Sequence, residues 1–267
     1  MIDINNMSNI KILSEQYNNI HNLKVRKSLH EKYSTNLIGF QKWMFNQYQF
    51  SSKIKVLELG SGRGEMWSYY FNNKILQDYD MDITLSDFSE GMVEHLQQIY
   101  QDRKIDIKKI DILEIPFENE SFDLVIANSM LYHVKDIMTA LSEVKRVMKK
   151  NGKFYSATFG LNGMTQYLFH AFEQLGINYN NGMNISFTLQ NGKQLLEKMF
   201  EKVERYDYED ALEIDKLEDY LDYIYSMASL QGLDRKYYDV LLNYFRAKQV
   251  GGYLHVPKEY GMFLATK

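Results

Sequence analysis

Glu58 stands two residues before Gly60, and Gly62 and Gly64 follow at every second position, with Ser61 between. Glycine reaches positive φ without penalty and lets backbone approach a ligand where a Cβ would not fit. Such a turn holds a ligand, and what it lacks narrows which one. A dinucleotide fingerprint needs glycine at its first, third and sixth positions, so that a pyrophosphate rests on the following helix. The sixth position here is the anion Glu65. A phosphate loop needs Gly-Lys-Ser/Thr, which is missing too. Glu58 would repel a phosphate and suits a ligand with an ammonium group.

The elements that must position these residues follow from hydrophobic pattern. Residues 54–59, IKVLEL, form a run that is apolar on both faces, as in the centre of a parallel sheet. Residues 83–86 predict a second strand ending at Asp87, with Phe88 and then Ser89 as a helix N-cap. A carboxylate over twenty residues past the glycines is where a nucleoside-binding α/β fold grips ribose hydroxyls. A third strand, 105–110, leads to Asp111 and Ile112, and a fourth, 124–127, opens into Asn128, Tyr132 and His133. Sites in open α/β sheets lie beyond such carboxyl ends. Residues 135–150 predict a helix with Ile137, Leu141, Val144 and Met148 on one face, stopped by Asn151-Gly152, before a fifth strand at 153–158. Strict alternation of strand and helix implies a doubly wound parallel sheet. Further on, helices are expected at 164–175, 192–200, 217–230 and 235–247, with strands at 202–208 and 261–266. Residues 1–50 read as amphipathic helices rich in rings.

The glycine turn with its acid resembles motif I of the class I S-adenosylmethionine (SAM) methyltransferases, where these groups cradle the methionine part of the cofactor. The resemblance runs from about Tyr33 to Lys267, its specific motifs lie between Ile54 and Gly152, and it is closest to the small-molecule group with a methyltransferase type 11-like domain. It implies an α/β fold: a doubly wound, Rossmann-like seven-stranded sheet with an antiparallel last strand, plus an N-terminal helical lid and a C-terminal helical insertion. The lid would be residues 1–50. The SAM-binding domain would be 51–267, with helical insertions at about 161–200 and 215–250. The implied cofactor is S-adenosyl-L-methionine, with S-adenosyl-L-homocysteine (SAH) as product, and the cofactor-binding residues would be Glu58, Gly60, Ser61, Gly62, Gly64, Asp87, Phe88, Asp111, Ile112 and Asn128. Asp111 would accept from the adenine amino group, Ile112 would offer its backbone N–H to the ring, and Phe88 would lie along it.

Methyl transfer from a sulfonium is an in-line displacement, in which positioning alone can remove roughly 7–11 kcal/mol of barrier. A hydroxyl acceptor needs a general base as well; a neutral amine does not. His133 and His30 are the candidate bases, and His133 is favoured by its place after the fourth strand, although it could instead cap the helix at Lys135. Tyr132 and Asn128 could orient the acceptor, and Tyr17, His30, Tyr33 and Trp43 are candidate substrate-binding residues. The expected reaction moves a methyl group to an N or O atom of a small-molecule acceptor.

Composition sets limits. With 267 residues and a net charge of −4, the chain lacks the basic footprint of a nucleic-acid binder. It has no cysteine for disulfides, thiolate metal sites or nucleophiles, and its six histidines show no paired metal-ligand spacing. No apolar run approaches the ~20 residues that span a bilayer. The expectation is a cytoplasmic monomer or homodimer without metal. The competing readings are an RNA methyltransferase subunit, a non-catalytic SAM-binding scaffold and, more weakly, aminopropyl transfer.

Overall fold

The computed structural model describes residues 20–72, 80–178, 184–227 and 233–267. The chain runs α1 (Ile20–Tyr33), α2 (Phe40–Gln47), β1 (Ile54–Leu59), α3 (Glu65–Asn72), β2 (Met81–Asp87), α4 (Glu90–Ile99), β3 (Asp106–Lys109) and β4 (Phe122–Ile126). A 3₁₀ turn (Leu131–His133) leads to α5 (Ile137–Val147), β5 (Met148–Phe159), α6 (Met164–Gln174), α7 (Gly192–Leu196), β6 (Lys202–Ile214), α8 (Leu217–Ser226), α9 (Tyr238–Lys248) and β7 (Leu254–Thr266).

Seven strands form one sheet in the order β3-β2-β1-β4-β5-β7-β6. β1 to β5 pair in parallel. β7 runs the other way: Lys267 N donates to Gly152 O (3.3 Å) and Gly160 N to Glu259 O (2.7 Å), so partner numbers fall along β7 as they rise along β5. This is the expected doubly wound, Rossmann-like sheet with an antiparallel last strand.

That β1 is apolar on both faces has a direct cause. Leu57 and Leu59 point to one face, where α5 lays down Ala140, Leu141, Val144 and Val147. Val56 points to the other, among Phe45 of α2, Trp67 of α3 and Leu96 of α4. Both faces are covered, so apolar side chains point to both.

The chain divides into two compact units. One comprises residues 40–159, 186–208 and 261–267, and holds β1 to β5 with the helices just described. The other comprises residues 1–39, 160–185 and 209–260. Its core is helical: Leu29 of α1, Leu168 and Phe172 of α6, Leu221 and Ile224 of α8, and Leu241 and Phe245 of α9, joined by Leu212 of β6 and Leu254 and Val256 of β7. The ring-rich segment 1–50 is therefore shared out, α1 to the helical unit and α2 to the sheet unit.

Two local expectations are corrected. The helix after His133 spans only Ile137–Val147. Asp136 caps it, accepting from Thr139 N at 3.0 Å and Thr139 Oγ1 at 2.7 Å, and Met148 is already extended. Asn151-Gly152 lies instead inside β5, where the pairing with β4 slips from Phe122↔Met148 to Leu124↔Lys153. Asn151 has φ 64°, and a Cβ on Gly152 would sit 2.8 Å from Lys149 O, so the residues that resemble a helix stop make a bulge. Ser89 does occupy the N-cap of α4, but its hydroxyl makes no capping bond.

Candidate active site

The strand order reverses between β1 and β4, which neighbour each other at the centre of the sheet. In an open α/β sheet the crevice at such a switch point is the ligand site, and the glycine turn follows β1 directly. Gly60, Gly62 and Gly64 have φ of 70°, 55° and 68°. The three are not equivalent. A Cβ on Gly60 would lie 2.9 Å from Met130 Cγ, and one on Gly64 2.7 Å from Leu96 Cδ2, whereas one on Gly62 would meet nothing within 4 Å. Gly60 and Gly64 are glycines for packing; Gly62 is the one that opens onto free space.

The turn is fastened to the end of β2. Ser61 N donates to Ser86 O (2.8 Å), Ser86 N to Ser61 Oγ (3.2 Å), and Gly62 N to Asp87 Oδ2 (2.9 Å). Asp87 Oδ1 accepts from Ser89 N at 2.9 Å. Burial raises the Asp87 pKa and these backbone N–H groups counter it. The carboxylate oxygens can accept from further donors as well. Phe88, next in the chain, is 47% exposed, an unusual exposure for so large a ring.

Glu58 is buried within the sheet. Its Oε2 accepts from Trp67 Nε1 at 2.8 Å, and the Ser61 side chain bonds to the same carboxyl. Burial pushes its pKa up to about 7, against the pull of those two hydrogen bonds. At neutral pH this group stands midway between acid and carboxylate, poised to respond to a positive charge brought near it.

On the β4 side, Asn128 is held in place. Its Oδ1 accepts from Ala157 N (3.1 Å) and its Nδ2 donates to Tyr48 Oη (2.5 Å). Ser129 has φ 53°, a strained non-glycine conformation at the switch point. His133 N donates to Met130 O at 2.9 Å, which closes the 3₁₀ turn. The His133 ring lies 4.5 Å from that of Tyr132, centre to centre, and Tyr132 leans on Phe159 at 5.0 Å. His133 Nδ1 is buried with no hydrogen-bond partner among the described residues, and burial lowers the pKa of the ring. His133 does not cap the following helix, since Asp136 does.

Asp111 is exposed at the end of β3, with Oδ1 accepting from Leu113 N (2.9 Å), and Ile112 is buried beside it. The loop beyond is held down by Arg146, which donates to Ile115 O, Phe117 O and Glu143, while Glu143 Oε2 accepts from Ile115 N.

The structure thus gathers Glu58, the glycine turn, Asp87, Phe88, Asp111, Ile112, Asn128, Tyr132 and His133 in one unit, at the carboxyl ends of adjacent strands. Trp43 belongs to that unit too, stacked on Phe40 (5.7 Å) and leaning on Tyr208 (5.3 Å). His30 and Tyr33 belong to the helical unit, and Tyr17 lies outside the described residues. Sequence reasoning missed the groups that hold the site: Trp67 on Glu58, Met130 against Gly60, Tyr48 on Asn128, and Tyr100, whose Oη donates to Gly64 O at 2.6 Å. None carries a local signal, because each meets its partner only through the fold.

Among the described residues no helix is long and apolar enough to cross a membrane. Residues 57–156 match the family described as Methyltransferase domain. A demethylmenaquinone methyltransferase of Staphylococcus aureus is 28% identical over 138 residues, 48% of this chain and 56% of that protein. The mitochondrial arginine-hydroxylase NDUFAF5 of Mus musculus is 30% identical over 109 residues, 39% of this chain and 29% of that protein. The first curated relatives are matched over only 3%, 37% and 29% of their own length. Among solved structures, a SAM-dependent methyltransferase from Aquifex aeolicus superposes with a TM-score of 0.52 at 12% identity, covering 92% of this chain and 98% of that one, a likeness of fold. Over residues 57–156 the chain is thus similar to the methyltransferase domain family, and its sheet has the class I methyltransferase fold.

Proposed function

We propose that the chain transfers a methyl group from S-adenosylmethionine to a nitrogen or oxygen atom of a small-molecule acceptor. The observation that carries this reading is the glycine turn at the switch point, with Gly62 facing open space and its N–H on Asp87. The residues fit an adenosyl cofactor. Gly60, Ser61, Gly62 and Gly64 offer backbone without a crowding Cβ at Gly62, and Glu58 offers a carboxyl that ionises beside an ammonium group. Asp87 has lone pairs for ribose hydroxyls, Phe88 an exposed ring for a base, and Asp111 and Ile112 an acceptor and an N–H at its edge. When bound, SAM supplies an electrophilic methyl carbon. The protein's part is to orient the acceptor, through Asn128 and Tyr132, and to exclude water. His133, kept neutral by burial, can take a proton at Nδ1 from a hydroxyl acceptor.

The test is calorimetric titration with SAH, with NAD as control. Wild type should bind SAH alone, and Asp87→Ala should lose on the order of 100-fold in affinity, the expected loss for two hydrogen bonds to a charged group. No SAH binding by wild type would overturn the reading.

His133→Ala should leave SAH affinity unchanged and lower kcat for a hydroxyl acceptor by about 10²–10⁴-fold. The wild-type rate should fall on acidification through a pKa below the ordinary histidine value, because burial lowers it. Full turnover by the variant would remove His133 from the chemistry. If SAH binds and no acceptor pool yields product, a binding scaffold becomes the better description.

A further inference from the structure

The helical unit contains buried polar chemistry that methyl transfer does not use. Arg26 and His30 lie four residues apart on α1, and so on one face of it. Both address Tyr223 of α8. The His30 ring meets the Tyr223 ring edge-on with centroids 5.9 Å apart, and the Arg26 charge acts on the Tyr223 hydroxyl. The charges of Lys258 of β7 and Asp210 of β6 both act on the His30 imidazole.

Two anions of this unit, Asp210 and Asp219, are already engaged. Asp210 is paired with Lys258 in an ion pair of buried side chains, and Asp210 Oδ1 also accepts from Thr35 Oγ1 (3.2 Å) and Asn36 N (3.0 Å). Lys258 Nζ donates in addition to Ser34 Oγ at 2.9 Å. Asp219 is bonded by Lys32 Nζ (2.8 Å) and Tyr33 Oη (2.9 Å), with Lys216 Nζ 3.3 Å away. Arg26 Nε and His30 Nδ1, by contrast, are buried and have no hydrogen-bond partner among the described residues. Folded proteins leave few buried polar atoms unpaired, and those they leave call for an explanation. The Lys258 and Asp210 charges that act on His30 are paired with each other, while the Arg26 charge, one helical turn away, acts on Tyr223.

We propose that Arg26 and His30 form a binding site for a small oxyanion, the phosphate or carboxylate group of a metabolite, with Arg26 Nε and the Nδ1–H of His30 as its donors. Two donors one helical turn apart can serve two oxygens of one such group, and a guanidinium is well matched to it. The electrostatics agree with the geometry. Burial first, and the Lys258 charge second, hold the His30 pKa down to about 4 against the opposing pull of Asp210, so a bound anion would draw a proton onto the ring. This site is independent of the methyl-transfer reading and stands or falls apart from it.

The test uses the full chain labelled with ¹³C-histidine, titrated with inorganic phosphate and, separately, with sodium acetate. His30→Asn identifies the His30 signal. Saturable binding should move the His30 pKa from about 4 towards its ordinary value of about 6.5, with affinity increasing as the pH falls. The acetate titration shows this without the second ionisation of phosphate. Response to phosphate alone assigns the site to phosphoryl groups, and response to both assigns it to oxyanions in general. Arg26→Gln should weaken binding about tenfold or more, the usual loss for a charge-assisted hydrogen bond, and leave SAH titration unchanged. Because Arg26→Gln could disturb α1, its far-ultraviolet circular dichroism is compared with wild type, and Arg26→Lys supplies a second variant that keeps the charge. A His30 signal unmoved by both anions in the wild type, or anion affinity unchanged in a folded Arg26→Gln, would overturn the proposal.

Discussion

Glu58→Gln is expected to make the unliganded fold about 3 kcal/mol more stable at pH 8 while weakening SAH binding. The carboxyl has an ordinary pKa of 4.5 and one of about 7 in the folded chain, raised by burial. The native state therefore holds the proton more tightly than the unfolded chain does. Below pH 4.5 both states are protonated and the group costs nothing. Between pH 4.5 and 7 the unfolded chain can ionise while the native one resists, so stability falls as the pH rises. Above pH 7 the native state carries a buried carboxylate and the cost is complete, about 3 kcal/mol for a shift of some 2.5 units. Glutamine stays neutral at every pH and still offers an oxygen to Trp67 Nε1. Denaturant unfolding of wild type and variant should thus agree at pH 4 and separate by pH 8. A gap of the same size at both pH values would show that the burial cost is not electrostatic. The loss of SAH affinity should follow the same titration, because only an ionised Glu58 attracts an ammonium group. Wild-type affinity should rise through pH 7, and the variant's should not.

Gly64→Ala and Gly62→Ala should fail in opposite ways although they are two residues apart in one turn. At Gly64 a methyl group would lie 2.7 Å from Leu96 Cδ2 and 2.9 Å from Tyr100 Cε2, while the Tyr100 Oη bond to Gly64 O keeps the backbone from moving away. The left-handed conformation costs a non-glycine residue roughly 1–2 kcal/mol and overpacking about 1–3 more, so a loss of about 2–5 kcal/mol is expected. At Gly62 the left-handed cost remains, but no atom lies within 4 Å of the added methyl. That variant should fold with a loss of only about 1–2 kcal/mol. It should nevertheless bind SAH on the order of 100-fold more weakly, because the methyl fills the open space in which a ligand would lie against the backbone. Thermal denaturation and calorimetry on the two proteins separate the effects. Unimpaired SAH binding by Gly62→Ala would mean that the turn is not the cofactor cradle.

How much of this was legible in the sequence depended on whether the signal was local. The two-faced apolar pattern of β1, the alternation of strand and helix through β5, and the spaced glycines each reflect a constraint that a short window contains. The apolar face of α5 was legible for the same reason. The first halves of β7 and the second halves of β6 were not. Residues 254–260, LHVPKEY, carry Pro257, Lys258 and Glu259, a composition that argues against a strand, yet they are extended. Asn151-Gly152 misled because one dipeptide serves both helix ends and bulges, and only the pairing with β4 distinguishes the two. In the site, the residue types that would face a ligand could be named from spacing. Trp67, Tyr100, Met130 and Tyr48 could not, since they act on other residues across the fold. The role of His133 as a helix cap was plausible until Asp136 proved to hold that position.

The place of β7 in the sheet bears on how the chain is made. β7 follows every other described element in the sequence, yet it lies between β5 and β6. Until it is in place, two strands of 12 and 13 residues each present an unpaired edge where a neighbour belongs. Such edges recruit foreign strands. On a ribosome, the sheet cannot be completed in the order in which it is translated, and a nascent chain halted before Leu254 should be a client for chaperones. Both 13-residue strands also run from one compact unit into the other, dividing after Tyr208 and after Tyr260. Neither unit is a continuous piece of polypeptide, so cutting the gene at any single point would not yield either one alone.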